Sequence, residues 1–286
     1  MMKVIKIHII SLLLLAFIPS LSRAQVRYHC PQDSERAMEL VKKASVSDNY
    51  GERIVAAAKA LQGIPFAPAA DNDSIGTLVI RLDSLNQREF IYNVLAAAKT
   101  AQLSAPTIHD FEQNLIDISR KKGTDQGFVS QFLYGADWIG DNVYRGNLLE
   151  LTDYPTGGNY KTKTLDYVSR HPQQFPAMSD PEIVDKIKVI EFGYRSHRIP
   201  HKKKHNINDK EIKGLLQDGD IILMCPMDDD FDIYDIGIIS RENGEPTLIH
   251  ISKDKGEVVL DPYPISRLFK VEGQYFYGFR WLRPTL

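Results

Sequence analysis

Cys225, Asp235 and His250 are the residue types from which a nucleophile, a base and an orienting group are built. Each falls on a separate apolar, β-branched stretch: 221–225, 234–239 and 247–251. A thiol, an imidazole and a carboxylate on neighbouring strands would make a Cys225–His250–Asp235 hydrolase. Strand alternation offers the plainer outcome, a small cysteine on the core face. A second candidate region is 76–100, GTLVIRLDSLNQREFIYNVLAAAKT. An extended segment (77–82) leads through a turn (83–87) into a helix striped by Phe90, Ile91, Val94, Leu95 and Ala98. Several hydrolase folds present a nucleophile at such a helix N-terminus, where the dipole and free N–H groups favour a developing anion. Here the turn reads Asn86-Gln87-Arg88-Glu89, and none of these is a nucleophile. Ser84 lies three residues earlier with no base to assign. Glu89 and Asp235 together suggest acid–base hydrolysis of a glycan, which needs two carboxylates roughly 5 or 6.5–9.5 Å apart. An acid in the first turn of a helix is equally expected from the dipole alone.

The elements around these residues read as helices first and strands later. Asp33 or Ser34 caps a helix with Ala37, Leu40, Val41 and Ala44 on its apolar face. A second helix spans 50–61 and stops at Gly63-Ile64-Pro65. Thr107 and Asp110 form a capping box for a helix with Ile108, Phe111, Leu115 and Ile118 inside. The next helix contains Phe132-Leu133-Tyr134 and Trp138 and stops near Arg145-Gly146. Residues 152–163 read as a loop, 166–176 and 181–192 as helical, and 197–206 (HRIPHKKKHN) as a solvated basic loop. Five strands follow between 221 and 282, with a hairpin turn at Glu242-Asn243-Gly244 and a short helix at 263–269. Trp138 and Trp281 read as core anchors. The order makes an α+β protein with one domain from 31 to 286.

The formal net charge of -2 gives no argument for nucleic acid. At the start, Lys3 and Lys6 precede an apolar run (7–18), and Ser22-Arg23-Ala24 offers small residues for cleavage. This is a signal peptide over 1–24, which predicts export to a periplasmic or secreted location. The run is short for a membrane span, and no second one follows, so no stable span is expected after cleavage. The two remaining cysteines, Cys30 and Cys225, either form a bridge or stay as a surface thiol and a buried one. Three histidines lie within 197–206, but no carboxylate or cysteine is interleaved at ligand spacing, so no metal and no cofactor are expected.

In this order and spacing, several segments become recognisable together. They are Gly63-Ile64-Pro65-Phe66, Leu78-Val79-Ile80 with 90–96, Asp137-Trp138-Ile139 with Asn142 and Arg145-Gly146, 216–222, Ile236-Gly237-Ile238, Leu248-Ile249-His250-Ile251-Ser252 and 280–284. The chain resembles the N-acetylmuramoyl-L-alanine amidase-like family, a bacterial group within the NlpC-type, papain-like cysteine peptidases. The resemblance implies a papain-like α+β fold, with an N-terminal helical half packed on a C-terminal antiparallel sheet. Active members carry Asp-Cys-x-Thr-Phe at the strand-to-helix turn, and Gln87 matches the nucleophilic Cys. Asn86 and Glu89 match the Asp and Thr. The base lies in a His-Val-Gly-Ile segment that here reads Asp235-Ile236-Gly237-Ile238. His250 matches the residue that orients the base. Phe66 matches a Tyr that helps bind the oxyanion.

Nucleophile, base and one oxyanion donor are therefore substituted together. Residues of such a unit act jointly, so the losses favour a non-catalytic scaffold. On this reading Gln87, Asp235, His250 and Glu89 bind a peptidoglycan fragment, a peptide or a partner protein. An active hydrolase using Cys225, or the carboxylate pair, is the alternative. His250 beside Asp235 is expected to pair with it and to have its charged form favoured.

Overall fold

A computed structural model describes residues 26–68, 77–122 and 127–285. The proposed signal peptide over 1–24 lies outside them. The N-terminal arm forms β1 (Val26–Tyr28), which pairs in parallel with β2 (Leu78–Ile80). Helices α1 (Asp33–Ala44), α2 (Tyr50–Ala60), α3 (Gln87–Thr100) and α4 (Ile108–Ser119) follow the expected boundaries closely. Thr107 and Asp110 form the expected capping box. Asp33 does not cap α1. Its buried carboxylate instead accepts from Cys30 N and Leu82 N, which ties the arm to the segment entering the site.

The rest of the chain forms α5 (Gly135–Tyr144), β3 (Leu148–Glu150), β4 (Asn159–Lys163), α6 (Tyr167–Arg170), α7 (Pro181–Phe192), β5 (His197–Lys203), α8 (Lys210–Leu215), β6 (Ile221–Pro226), β7 (Asp235–Glu242), β8 (Glu245–Ser252), β9 (Glu257–Pro264), α9 (Ile265–Glu272) and β10 (Phe276–Pro284). The large sheet runs β4-β5-β10-β6-β7-β8-β9, with β3 paired to β10. All of these pairings are antiparallel. Strands β6 to β9 form the expected consecutive meander, and β10 returns to lie beside β6. One apolar cluster joins α1–α4 to Leu223, Ile236, Ile238, Ile249 and Ile251 of the sheet. Another, on the opposite face, packs α9 against Ile222, Met224, Ile239, Leu248 and Trp281. Both tryptophans are buried, and each indole N–H has a partner: Ile118 O for Trp138 and Asp220 for Trp281.

Three expectations require correction. Residues 152–163 include strand β4, and 197–206 include strand β5 rather than a basic loop. β5 is held between β4 and β10, so its basic side chains are partly enclosed. Lys202 is buried and its ammonium donates to Gly157 O, while burial lowers its pKa. The third correction concerns Phe132-Leu133-Tyr134, which precede α5 instead of belonging to it. Arg88 of α3 occupies the carbonyls of Phe132 (2.8 Å) and Leu133 (3.1 Å). Asp232 accepts from Gly135 N (3.0 Å) and Ala136 N (2.5 Å). A helix starting at 132 would need the Phe132 carbonyl as acceptor for Ala136 N–H. That donor and that acceptor are both engaged elsewhere. Gly135 also lies where a Cβ would come within 2.4 Å of Ile233.

Asp232 is thus a remote cap for α5. Asp232→Ala should lower stability by about 2–3 kcal/mol, because it leaves two buried N–H groups without an acceptor. Urea denaturation should show a lower midpoint at unchanged m-value.

Candidate active-site cleft

The first turn of α3 satisfies two of its own free donors and the N–H of its cap. Asn86 Oδ1 accepts from Arg88 N (2.9 Å) and Glu89 N (3.0 Å), and Glu89 Oε2 accepts from Asn86 N (2.9 Å). This is a full capping box. The same Glu89 oxygen takes a charged hydrogen bond from Arg81 Nη2 at 2.7 Å. Glu89 is a structural carboxylate here, as its place in a helix first turn suggests.

Gln87 is the first residue of α3 and points toward the sheet. Its Nε2 donates to Asp235 Oδ1 at 2.7 Å. The same oxygen accepts from Ile236 N at 2.8 Å, and Asp235 Oδ2 lies 2.8 Å from His250 Nδ1. The side chains of Gln87, Asp235 and His250 therefore form one hydrogen-bonded chain. Asp235 and His250 are buried, 1% and 3% exposed, while Gln87 stands at the boundary with solvent. Burial pulls the pKa of His250 down. The hydrogen bond and charge of Asp235 outweigh it, with Asp261 and Glu272 adding to them, and the net shift is upward. The bond to a carboxylate requires the proton on Nδ1.

Cys225 is not part of this chain. Met224 lies opposite Asp235, and Gly237 lies opposite His250, so Asp235 and His250 share a sheet face. Cys225, one residue on from Met224, projects to the other face. It is 0% exposed, and burial pushes its thiol up to about 12. Cys30 and Cys225 are both free thiols. Among the described residues, no group of three or more His, Cys, Asp or Glu is placed to hold a metal ion.

Gln87 faces a cleft of about 510 Å³. Its walls include Phe66, Asn86, Arg88, Tyr92, Phe128, Gln131, Phe132 and Phe175. Phe66 is 50% exposed at the rim, and its ring has no polar hydrogen to offer. A narrower recess of about 120 Å³ shares Gln87, Arg88 and Tyr92 with the cleft and runs back to Trp138, Ile233 and Ile236. Sequence reading did not single out Arg88, Tyr92 or Phe132 as parts of a site. Their signal was only their closeness to Gln87 in the chain or to Trp138 in the fold. A separate depression of about 510 Å³ lies between the start of α2 and the turn at 217–220. Its guanidinium groups are already engaged, Arg283 with Asp220 and Arg241 with backbone carbonyls.

Residues 59–272 match the model of the N-acetylmuramoyl-L-alanine amidase-like family. The chain belongs to that family. Among solved structures, it is similar to an N-acetylmuramoyl-L-alanine amidase from Bacteroides uniformis. The identity is 26%, covering 83% of this chain and 99% of that one, with a TM-score of 0.72. It is similar also to a putative xylanase from Bacteroides fragilis, at 26% identity over 79% of this chain and 98% of that one, with a TM-score of 0.69. A Legionella pneumophila protein shares the fold at 14% identity, covering 89% and 95% of the two chains, with a TM-score of 0.68. No curated protein sequence matches the chain significantly.

His250 has its pKa above the ordinary value near 6.5. The stabilisation from its pair with Asp235 is then fully present below about pH 6.5 and is lost as pH rises through the raised value. Asp235→Asn removes the partner charge and leaves burial, so the His250 pKa should fall below its ordinary value. An NMR titration of the imidazole ring protons reads this directly. An unchanged pKa would show that the two groups are not coupled.

Proposed function

We propose that this amidase-like protein is an exported, non-catalytic member of its family that binds a peptidoglycan fragment or related peptide in the cleft beside Gln87. The observation that carries the reading is the Gln87–Asp235–His250 chain. By the resemblance, these positions correspond to nucleophile, base and orienting residue. The first is a carboxamide, which does not attack an acyl carbon at neutral pH. The second is a carboxylate already taking donors from Gln87, Ile236 and His250. Loss of a nucleophile alone removes orders of magnitude in rate.

The alternatives find less support. A relocated Cys225 nucleophile would need its thiol beside His250, and it projects to the opposite sheet face with a raised pKa. A Glu89–Asp235 glycosidase would need Glu89 free to donate a proton, whereas it caps α3 and pairs with Arg81. A papain-like, NlpC-type reading of the fold agrees with α3 directing its N-terminus at β7. One domain from 31 to 286 agrees with the apolar cluster that joins α1–α4 to the sheet. Cell-wall fragments as ligands follow from the family and from the Bacteroides uniformis amidase.

Incubation with peptidoglycan and muropeptides, followed by mass spectrometry, tests the class. The expected result is no release of peptides or amino sugars, with saturable binding that weakens at least about fivefold in Gln87→Ala. Robust turnover that Cys225→Ala abolishes would overturn the proposal.

A further inference from the structure

The two amide side chains at the head of α3 have their orientation fixed by what they already hold. Asn86 Oδ1 accepts two backbone N–H groups, so the other end of that amide is its NH₂. Gln87 Nε2 donates to the Asp235 carboxylate, so its other end is a carbonyl oxygen. Among the described residues, neither Asn86 Nδ2 nor Gln87 Oε1 has a partner, and neither is shut off from solvent. Both residues line the cleft. Consecutive residues thus present one donor and one acceptor of known polarity. One residue of an extended peptide, whose N–H and C=O leave the same edge of the backbone, is the complement of that pair.

Behind Gln87 lies the recess of about 120 Å³, walled by Ile91, Trp138, Ile233 and Ile236. It is smaller than the roughly 150 Å³ apolar cavity that holds a benzene ring. A small aliphatic side chain fits such a space more readily than an aromatic ring.

We propose that the cleft grips an extended peptide by the N–H and C=O of one residue, its N–H on Gln87 Oε1 and its C=O on Asn86 Nδ2, with an adjoining small aliphatic side chain in the recess. This rests on the binding reading above and names the ligand class. The carboxylate that fixes Gln87 then acts as a positioning group: Asp235 sets which end of the amide meets the ligand.

The test uses capped alanine tripeptides titrated into the mature protein and followed by NMR. A matched series replaces each amide in turn with an ester, which removes the N–H and weakens the carbonyl of the preceding residue as an acceptor. One ester position should weaken binding about tenfold in the natural protein and have no effect in Gln87→Met. Asn86→Asp keeps the helix cap while deleting the donor, so it should weaken binding about tenfold at unchanged Tm. Valine should be accepted at the recess position, and phenylalanine should bind at least about tenfold more weakly. If the peptide binds but esters and both variants bind equally well, the amide assignment is overturned while the binding reading stands. If phenylalanine binds as tightly as alanine, the recess assignment is overturned. If neither peptides nor muropeptides bind, both readings fall.

Discussion

Everything around the cleft depends on how the first turn of α3 satisfies its free N–H groups. A helix N-terminus facing a groove is an anion site by default. Here Asn86 takes two of those donors, and Glu89 reaches back to the Asn86 N–H. Arg81, on the segment leaving β2, then neutralises Glu89 at 2.7 Å. Much of the positive end of the helix is thereby engaged inside the protein. A turn built this way is a rigid shelf.

The second consequence is the polarity of the Gln87–Asp235–His250 chain. A hydrolytic triad places the imidazole next to the nucleophile and the carboxylate behind it, so that the ring can take a proton. Here the carboxylate stands next to α3 and the imidazole stands behind it, buried, with its Nδ1 proton directed at Asp235. Such an arrangement holds Gln87 in one orientation. The upward pKa shift of His250 strengthens that grip where the ring is charged. Geometry and electrostatics agree on anchoring.

Much of this was legible because it is local. The capping box at Thr107 and Asp110, the stripe of α3 and the meander from β6 to β9 each follow from residues close together in sequence. The matches of Gln87, Asp235 and His250 to one site came from the family resemblance, and the structure does bring the three together. What sequence missed was settled by distant partners. β4 and β5 look like loops because their charged residues hide a pattern that only the pairing of β4 with β5, and of β5 with β10, reveals. Lys163, at the end of the stretch read as a loop, is buried and donates to the carbonyls of Pro226, Asp228 and Phe231. The residues before α5 look helical, and they are extended because Arg88 and Asp232 compete for their hydrogen bonds.

Those same distant bonds explain why the cleft has a definite shape. Arg88 fastens the segment before α5 to the head of α3, and Asp232 fastens the start of α5 to the chain leading into β7. The recess lies between these two clasps, so its width is set by charge-assisted hydrogen bonds. A ligand entering it has little protein to order, and ordering side chains costs about 0.5–1.5 kcal/mol each on association. A pre-shaped cleft can therefore bind a small fragment through few contacts. On the proposed binding reading, the residues that fix its walls matter to recognition as much as Gln87 does, although they need touch no ligand.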